Sequence, residues 1–294
     1  MKTTHIKGST VLKPLKALAL TSILALGLST SAMAGNILIT GHDTDDHNAS
    51  NYMNWGLTYL LTGNGSVVPA APTNKIGFIG NSSPSLASYL GNYNNFQFYD
   101  LDVASWTNAF SDSNDVLVIG SGLDFITNAG STTLNAAAAQ FTTYFNAGGS
   151  LFVNTEQGMG SSFYGFIPGF GTTTNAALPG CSSGAPACMQ ATAAGALVGL
   201  TNALINEASV THTRFPNVDP AFQALEFYYN NNAGPFDAIT IALRGGTIGG
   251  GGFQTCGTTG QPNCPVSEPT VLPLLGIGLL GMMAATFRRK KNKA

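Results

Sequence analysis

Charge is scarce in this chain, and positive charge is nearly absent from its interior. Asp, Glu, Lys and Arg make up 9% of the 294 residues. Four of the twelve cations (Lys2, Lys7, Lys13, Lys16) lie near the start and five lie between Arg288 and Lys293. Residues 35–267 keep only Lys75, Arg214 and Arg244 against thirteen acids, a formal net charge of −10. Such a body is repelled by nucleic acid, and by anionic lipid or polysaccharide unless divalent cations bridge the like charges. Internal repeats and a phosphate-binding loop are also absent. Gly120-Ser121-Gly122 follows an apolar run but lacks the later glycine of a dinucleotide fingerprint, so no nucleotide is expected. Cysteine is limited to four residues in the second half, Cys181 and Cys188 in CSSGAPAC and Cys256 and Cys264 in CGTTGQPNC. Each pair encloses a short Gly/Pro loop, and two local disulfides are the simplest of three connectivities; the spacing does not match a zinc knuckle.

The apolar runs lie at the ends. Residues 1–34 combine cations, the stretch ALALTSILALGL and Ala32-Met33-Ala34, the pattern of a secretory signal peptide cleaved after Ala34. From Pro269 to Phe287 there is no charge, and RRKKNK follows. That stretch is at the lower limit of the roughly 17–25 residues that span a bilayer, and trailing cations stay cytoplasmic, so the body is expected to face outward.

The closing segment EPTVLPLLGIGLLGMMAATFRRKKN resembles the PEP-CTERM sorting signal of Gram-negative bacteria: a short Pro-Glu-Pro-like motif, an apolar helix and an Arg-rich end. Ser267-Glu268-Pro269 departs from it by carrying serine first, while Arg288 and Arg289 open the basic end. The resemblance implies recognition by an exosortase-type protease, a membrane anchor (helix about 270–287, basic tail 288–293) removed on sorting, and delivery to the cell surface or an exopolysaccharide matrix. A plain C-terminal anchor is the alternative. The expected organisation is a signal peptide (1–34), an α/β ectodomain (35–245), a Gly-rich disulfide linker (246–266) and a sorting segment (267–294).

Within the ectodomain, apolar runs at 37–40, 76–80, 96–100, 115–121 and 150–155 alternate with helical patterns over 51–61, 83–93, 103–110 and 131–149. Five strands separated by helices predict a mainly parallel sheet covered on both faces. Residues 189–208 predict a further helix, and 222–229 and 237–244 predict late strands. The run DVLVIGSG…LNAAAAQFTTYFNAGGSLFVNTEQGMG resembles the class I glutamine amidotransferase-like superfamily, which implies a flavodoxin-like, doubly wound domain. Aligning Asn154-Thr155-Glu156-Gln157-Gly158 on the family's Gly-x-Cys-x-Gly elbow puts Glu156 at the thiol position. Glutamate cannot form the thioester of acyl transfer, so an amidotransferase is not expected; Glu156 remains a candidate ligand or general base.

In such sheets ligands bind beyond the carboxyl ends of the strands. Asn81, Asp100, Asp102, Ser121 and Glu156 fall there. The densest constellation is GHDTDDH, with His42, Asp43, Asp45, Asp46 and His47. Three readings are open. The acids cap a helix start, the group binds a divalent cation, with Asp43 and His47 on one face at i, i+4 spacing, or it takes part in catalysis. His212 and Arg214 in THTRF could reach the same rim, although a solitary histidine is more often scaffolding. Ser121 has no assigned His/Asp partners for a serine-hydrolase triad. Three functions follow as expectations: a non-catalytic surface or biofilm-matrix protein binding a divalent cation or carbohydrate, a metal-dependent extracellular hydrolase using the His42–His47 loop and Glu156, or a structural anchor with no ligand.

Overall fold

The computed structural model describes residues 34–47, 49–66, 74–84, 96–156, 159–178, 188–208, 211–228 and 237–244. The expected signal peptide up to residue 33, most of the helix expected over 83–93, Cys181, Cys256, Cys264, the 246–266 linker and the sorting segment lie outside them. No helix among the described residues is long and apolar enough to cross a membrane.

Five runs of β-branched and aromatic residues form the centre of the sheet: β1 (Asn36–Thr40), β2 (Ile76–Gly80), β3 (Phe96–Asp100), β4 (Val116–Ile119) and β5 (Ser150–Asn154). They pair in parallel in the order β3-β2-β4-β5-β1, with Ile37 opposite Leu151 and Phe78 opposite Val118. The remaining strands are β6 (Thr174–Ala177), β7 (Met189–Ala191), β8 (Thr213–Asn217), β9 (Gln223–Tyr228) and β10 (Asp237–Arg244). β10 lies antiparallel to β1 across its whole length, from Asn36 opposite Arg244 to Thr40 opposite Thr240, and carries β8 and β9. The fold is therefore mixed α/β, a mostly parallel centre with an antiparallel extension.

Side chains of the central strands alternate between two cores, as the period of an extended chain requires. Ile37, Ile39, Leu117, Ile119, Leu151 and Val153 point to one face; Leu38, Val116, Val118 and Phe152 point to the other. The first face is covered by a 3-10 helix (Ala104–Phe110) and by two helices, where one was expected over 131–149. The chain breaks at Ala137 (φ −96°, ψ 11°), separating α2 (Asn128–Ala136) from α3 (Ala138–Asn146).

The second face is covered by α1 (Ser50–Thr62). This helix is buried on nearly all sides, because Leu200, Ile205 and Ala208 pack on it from outside the sheet. Those residues belong to a stretch expected to be one helix over 189–208. It folds instead as β7, α4 (Ala193–Leu197) and α5 (Asn202–Glu207). The physical reason is threonine capping: Thr192 Oγ1 accepts from Gly195 N at 2.9 Å and Thr201 Oγ1 from Leu204 N at 3.3 Å, each starting a new helix, with Gly199 at φ 84° between them. β6 was not expected, and β8 gives order to a segment whose sequence left strand and loop both open. Cys188 is buried and disulfide-bonded, its partner lying outside the described residues.

Gly56 sets how closely α1 approaches the sheet. A Cβ there would lie 2.6 Å from the Phe152 ring. Gly56→Ala gains about 1 kcal/mol of helix propensity but incurs an overpacking cost of about 1–3 kcal/mol. We expect it to lower the urea midpoint of the wild type and to raise that of a Phe152→Leu background. The same sign in both backgrounds would contradict this packing account.

Candidate metal centre

The rim above β1, β4 and β5 gathers all three of the ectodomain's histidines with five of its acids, Asp43, Asp45, Asp46, Asp124 and Glu156. β1 ends at Thr40, the chain bends at Gly41, and His42 forms a bridge with Thr211 before the turn over residues 44–47. His42 and Asp43 take opposite sides, one reaching Glu226 and the other His47 and His212. This divides the constellation that the sequence presents as one.

His42 enters the core under α1 and is fully buried. Its Nε2 lies 3.0 and 3.1 Å from the two Glu226 oxygens, and its Nδ1 lies 2.6 Å from Thr211 Oγ1. Glu226 also accepts from Tyr52 OH (3.2 Å) and Thr240 Oγ1 (2.9 Å). Burial, and then the Glu226 carboxylate, push the Tyr52 hydroxyl well above its usual range, keeping it a donor. His42 is thus a member of a buried polar network, separate from its sequence neighbours. The network was not anticipated; the sequence signal was an acid inside the apolar run FQALEFYY.

Asp43 points the other way. The 44–47 turn, closed by Asp46 N and His47 N donating to Asp43 O at 3.1 and 3.3 Å, folds His47 back over it. His47 Nε2 lies 3.0 Å from Asp43 Oδ2 and 3.5 Å from Asp46 Oδ2. Thr44 Oγ1 donates to Asn154 Oδ1 at 2.7 Å, fixing this turn to the end of β5. The acids do not cap α1: its N-cap is Ala49, with no side-chain hydrogen bond and no acid in the first turn.

His212 arrives from the segment before β8, held by His212 N donating to Gly41 O at 3.1 Å. Its ring stacks on His47 with centroids 5.9 Å apart. His212 Nε2 is 3.3 Å from Asp43 Oδ2, yet this buried atom has no hydrogen-bond partner among the described residues. His212 Nδ1 is 3.3 Å from Glu156 Oε1. Three donor atoms, Asp43 Oδ2, His47 Nε2 and His212 Nε2, therefore converge. Separations of 3.0 and 3.3 Å match the spacing of about 3.3 Å between ligands that lie about 2.0–2.1 Å from a tetrahedral metal. Glu156 takes the position of the outer carboxylate that accepts the second ring N–H of a metal-bound histidine.

Asp124, on the loop after β4, joins Asp43 and Glu156 as a second set of donors within 4.8 Å of one another. Asp45 is buried beneath, with Oδ2 accepting from Ser121 N at 2.7 Å. Arg214 does not reach the site: it pairs with Asp237 and donates to Ala177 O at 3.1 Å. Among the described residues, the ion pairs of this cluster involve only histidines as partners. Burial, reinforced by the Glu156 charge, pushes the Asp43 carboxyl up to about 9. Burial raises Asp45 to about 7 against the opposing Ser121 hydrogen bond, and burial with the Asp46 charge raises Asp124.

The other rim residues build turns. Asn81 Oδ1 accepts from Thr127 N at 3.0 Å and its Nδ2 donates to Asp102, while Asp100 accepts from Asp102 N. A shallow cavity lined by Gln97, Tyr99, Asp100, Val103 and Trp106 lies at the β3 edge and contains none of the clustered groups. No protein-family model, curated protein or solved structure matches the chain.

Two outcomes are expected. Glu226→Ala removes the shared acceptor of His42, Tyr52 and Thr240, and its cost, about 1–3 kcal/mol for each buried donor left unsatisfied, is read as a lower urea midpoint. In chelator, the unfolded chain ionises Asp43 near pH 4 while the folded chain holds that proton to about pH 9. Metal-free stability therefore falls as pH rises through this window, with Asp45 adding to the fall up to about pH 7. Urea midpoints at pH 5, 7 and 9 measure it, and a rise across the series would contradict the burial of these acids.

Proposed function

We propose that this protein is an exported cell-surface or matrix component whose ectodomain binds a divalent cation through Asp43, His47 and His212. The observation that carries this reading is the convergence of Asp43 Oδ2 with His47 Nε2 and His212 Nε2 at 3.0 and 3.3 Å, in a cluster of carboxylates whose ion-pair partners are histidines. Two imidazoles and a carboxylate suit zinc, manganese or ferrous iron. Export and surface sorting rest on the Ala32-Met33-Ala34 signal and the PEP-CTERM-like tail from Ser267. The strand order β3-β2-β4-β5-β1 supports a flavodoxin-like domain whose first strand takes the last position of the 2-1-3-4-5 order.

The cation gives an acidic body a way to hold an acidic polymer. A cation held by Asp43, His47 and His212 would supply a positive charge beside the half-exposed His47, to which carboxylate or hydroxyl oxygens of an exopolysaccharide could bind. The competing reading is a metal-dependent hydrolase with Glu156 as base. Glu156 is already directed at His212 Nδ1 and nearly buried, which favours an orienting role over a catalytic one.

The test is zinc and manganese titration of the full chain, with retention on a polyuronate gel. We expect one or more ions per chain and retention abolished by chelator. Binding should be lost in His47→Ala/His212→Ala and weakened about 10–100-fold in Glu156→Gln. Equal affinity in the wild type and the double variant would contradict the assignment.

A further inference from the structure

We propose that Asp43 bridges two cations, the second held by Asp43, Asp124 and Glu156. This rests on the cation-site reading above and extends it. Two triads, Asp43/His47/His212 and Asp43/Asp124/Glu156, share Asp43, and within each the donor atoms lie within 4.8 Å of one another. The two oxygens of Asp43 are in different situations. Oδ2 faces both imidazoles. Oδ1 is buried and has no hydrogen-bond partner among the described residues. A desolvated carboxylate oxygen left unpaired is costly, and a second ion is the chemistry that satisfies it while the first occupies Oδ2.

The third side of this subsite is preformed. Phe125 N and Ile126 N donate to Ser121 O at 3.1 and 3.0 Å, and Asn81 N donates to Phe125 O at 2.6 Å, pinning the turn that carries Asp124. Leu123, beside it, has φ 68°, a left-handed conformation that a non-glycine residue adopts only when its surroundings impose it. The subsites differ in chemistry. Two nitrogens and an oxygen favour zinc, manganese or iron, whereas three carboxylates favour the oxygen-seeking ions manganese, magnesium and calcium. Manganese satisfies both, which makes it the probe.

The experiment loads the full chain with Mn2+ and measures bound metal together with its electron paramagnetic resonance spectrum, in the wild type and in Asp124→Ala. Asp124 is exposed, and its backbone contact, Ser82 Oγ donating to Asp124 O, survives the substitution. The expected result is two Mn2+ per chain with a spin-coupled spectrum, falling to one Mn2+ with an isolated six-line spectrum in the variant. One Mn2+ in both proteins would overturn the second subsite and leave the first standing. Two uncoupled ions unaffected by Asp124→Ala would overturn the bridge. No Mn2+ in either protein would overturn this proposal along with the cation-site reading beneath it.

Discussion

The buried carboxylate of Asp43 is the constraint on which the site depends. It is 1% exposed, faces the Glu156 charge and has imidazoles as its ion-pair partners. An ionised acid in that position is not stable unassisted, so it holds a proton or meets a cation. Among the described side chains the two Lys and Arg are spent elsewhere, Arg214 on Asp237 and Lys75 beside Asp112 O. Scarcity of positive charge, a compositional fact, becomes an electrostatic demand once the fold brings Asp43, Asp124 and Glu156 together.

The sheet supplies that convergence. Chain segments leaving β1, β4 and β5 at their carboxyl ends deliver Asp43 and His47, Asp124, and Glu156, while the antiparallel extension returns His212 from the opposite direction. The chain leaving β1 passes to the face covered by α1, and the chain leaving β5 passes to the other, where Phe163, Tyr164 and Phe166 pack. The cluster sits where those paths part, beyond the carboxyl ends of the strands, the position at which parallel sheets bind ligands. Beneath it, the network of His42, Thr211, Glu226, Tyr52 and Thr240 ties the residue before Asp43 to the residue before His212 and to β9 and β10. Rigidity below the site is what allows ligand atoms on distant segments to keep separations of about 3 Å.

Much of the central sheet was legible because its strands are short apolar runs bounded by turn residues, and the parallel β1 to β5 lie where those runs lie. The second half was less legible. Thr192 and Thr201 sit inside a helical pattern and read as helix interior until their hydroxyls are seen to cap. β6 and β8 carry no clear alternation and depend on pairing with each other and with β10. In the site, Asp43, His47 and Glu156 were visible from local density and strand-end position. His212 was visible only as a residue able to reach the rim. The division between His42 and Asp43 was hidden because sequence adjacency says nothing of pleat direction, and Asp124 because a single acid in a loop carries no signal of its own. The PEP-CTERM-like tail and the signal segment speak to export and sorting, which the geometry of the rim does not address.

The most direct measurement is anomalous diffraction at the zinc or manganese edge from crystals of the metal-loaded protein. The account predicts a peak about 2.0–2.2 Å from Asp43 Oδ2, His47 Nε2 and His212 Nε2, with Glu156 on the far side of the His212 ring. A metal-loaded crystal with no peak at these atoms, or with His212 turned away from Asp43, would contradict it.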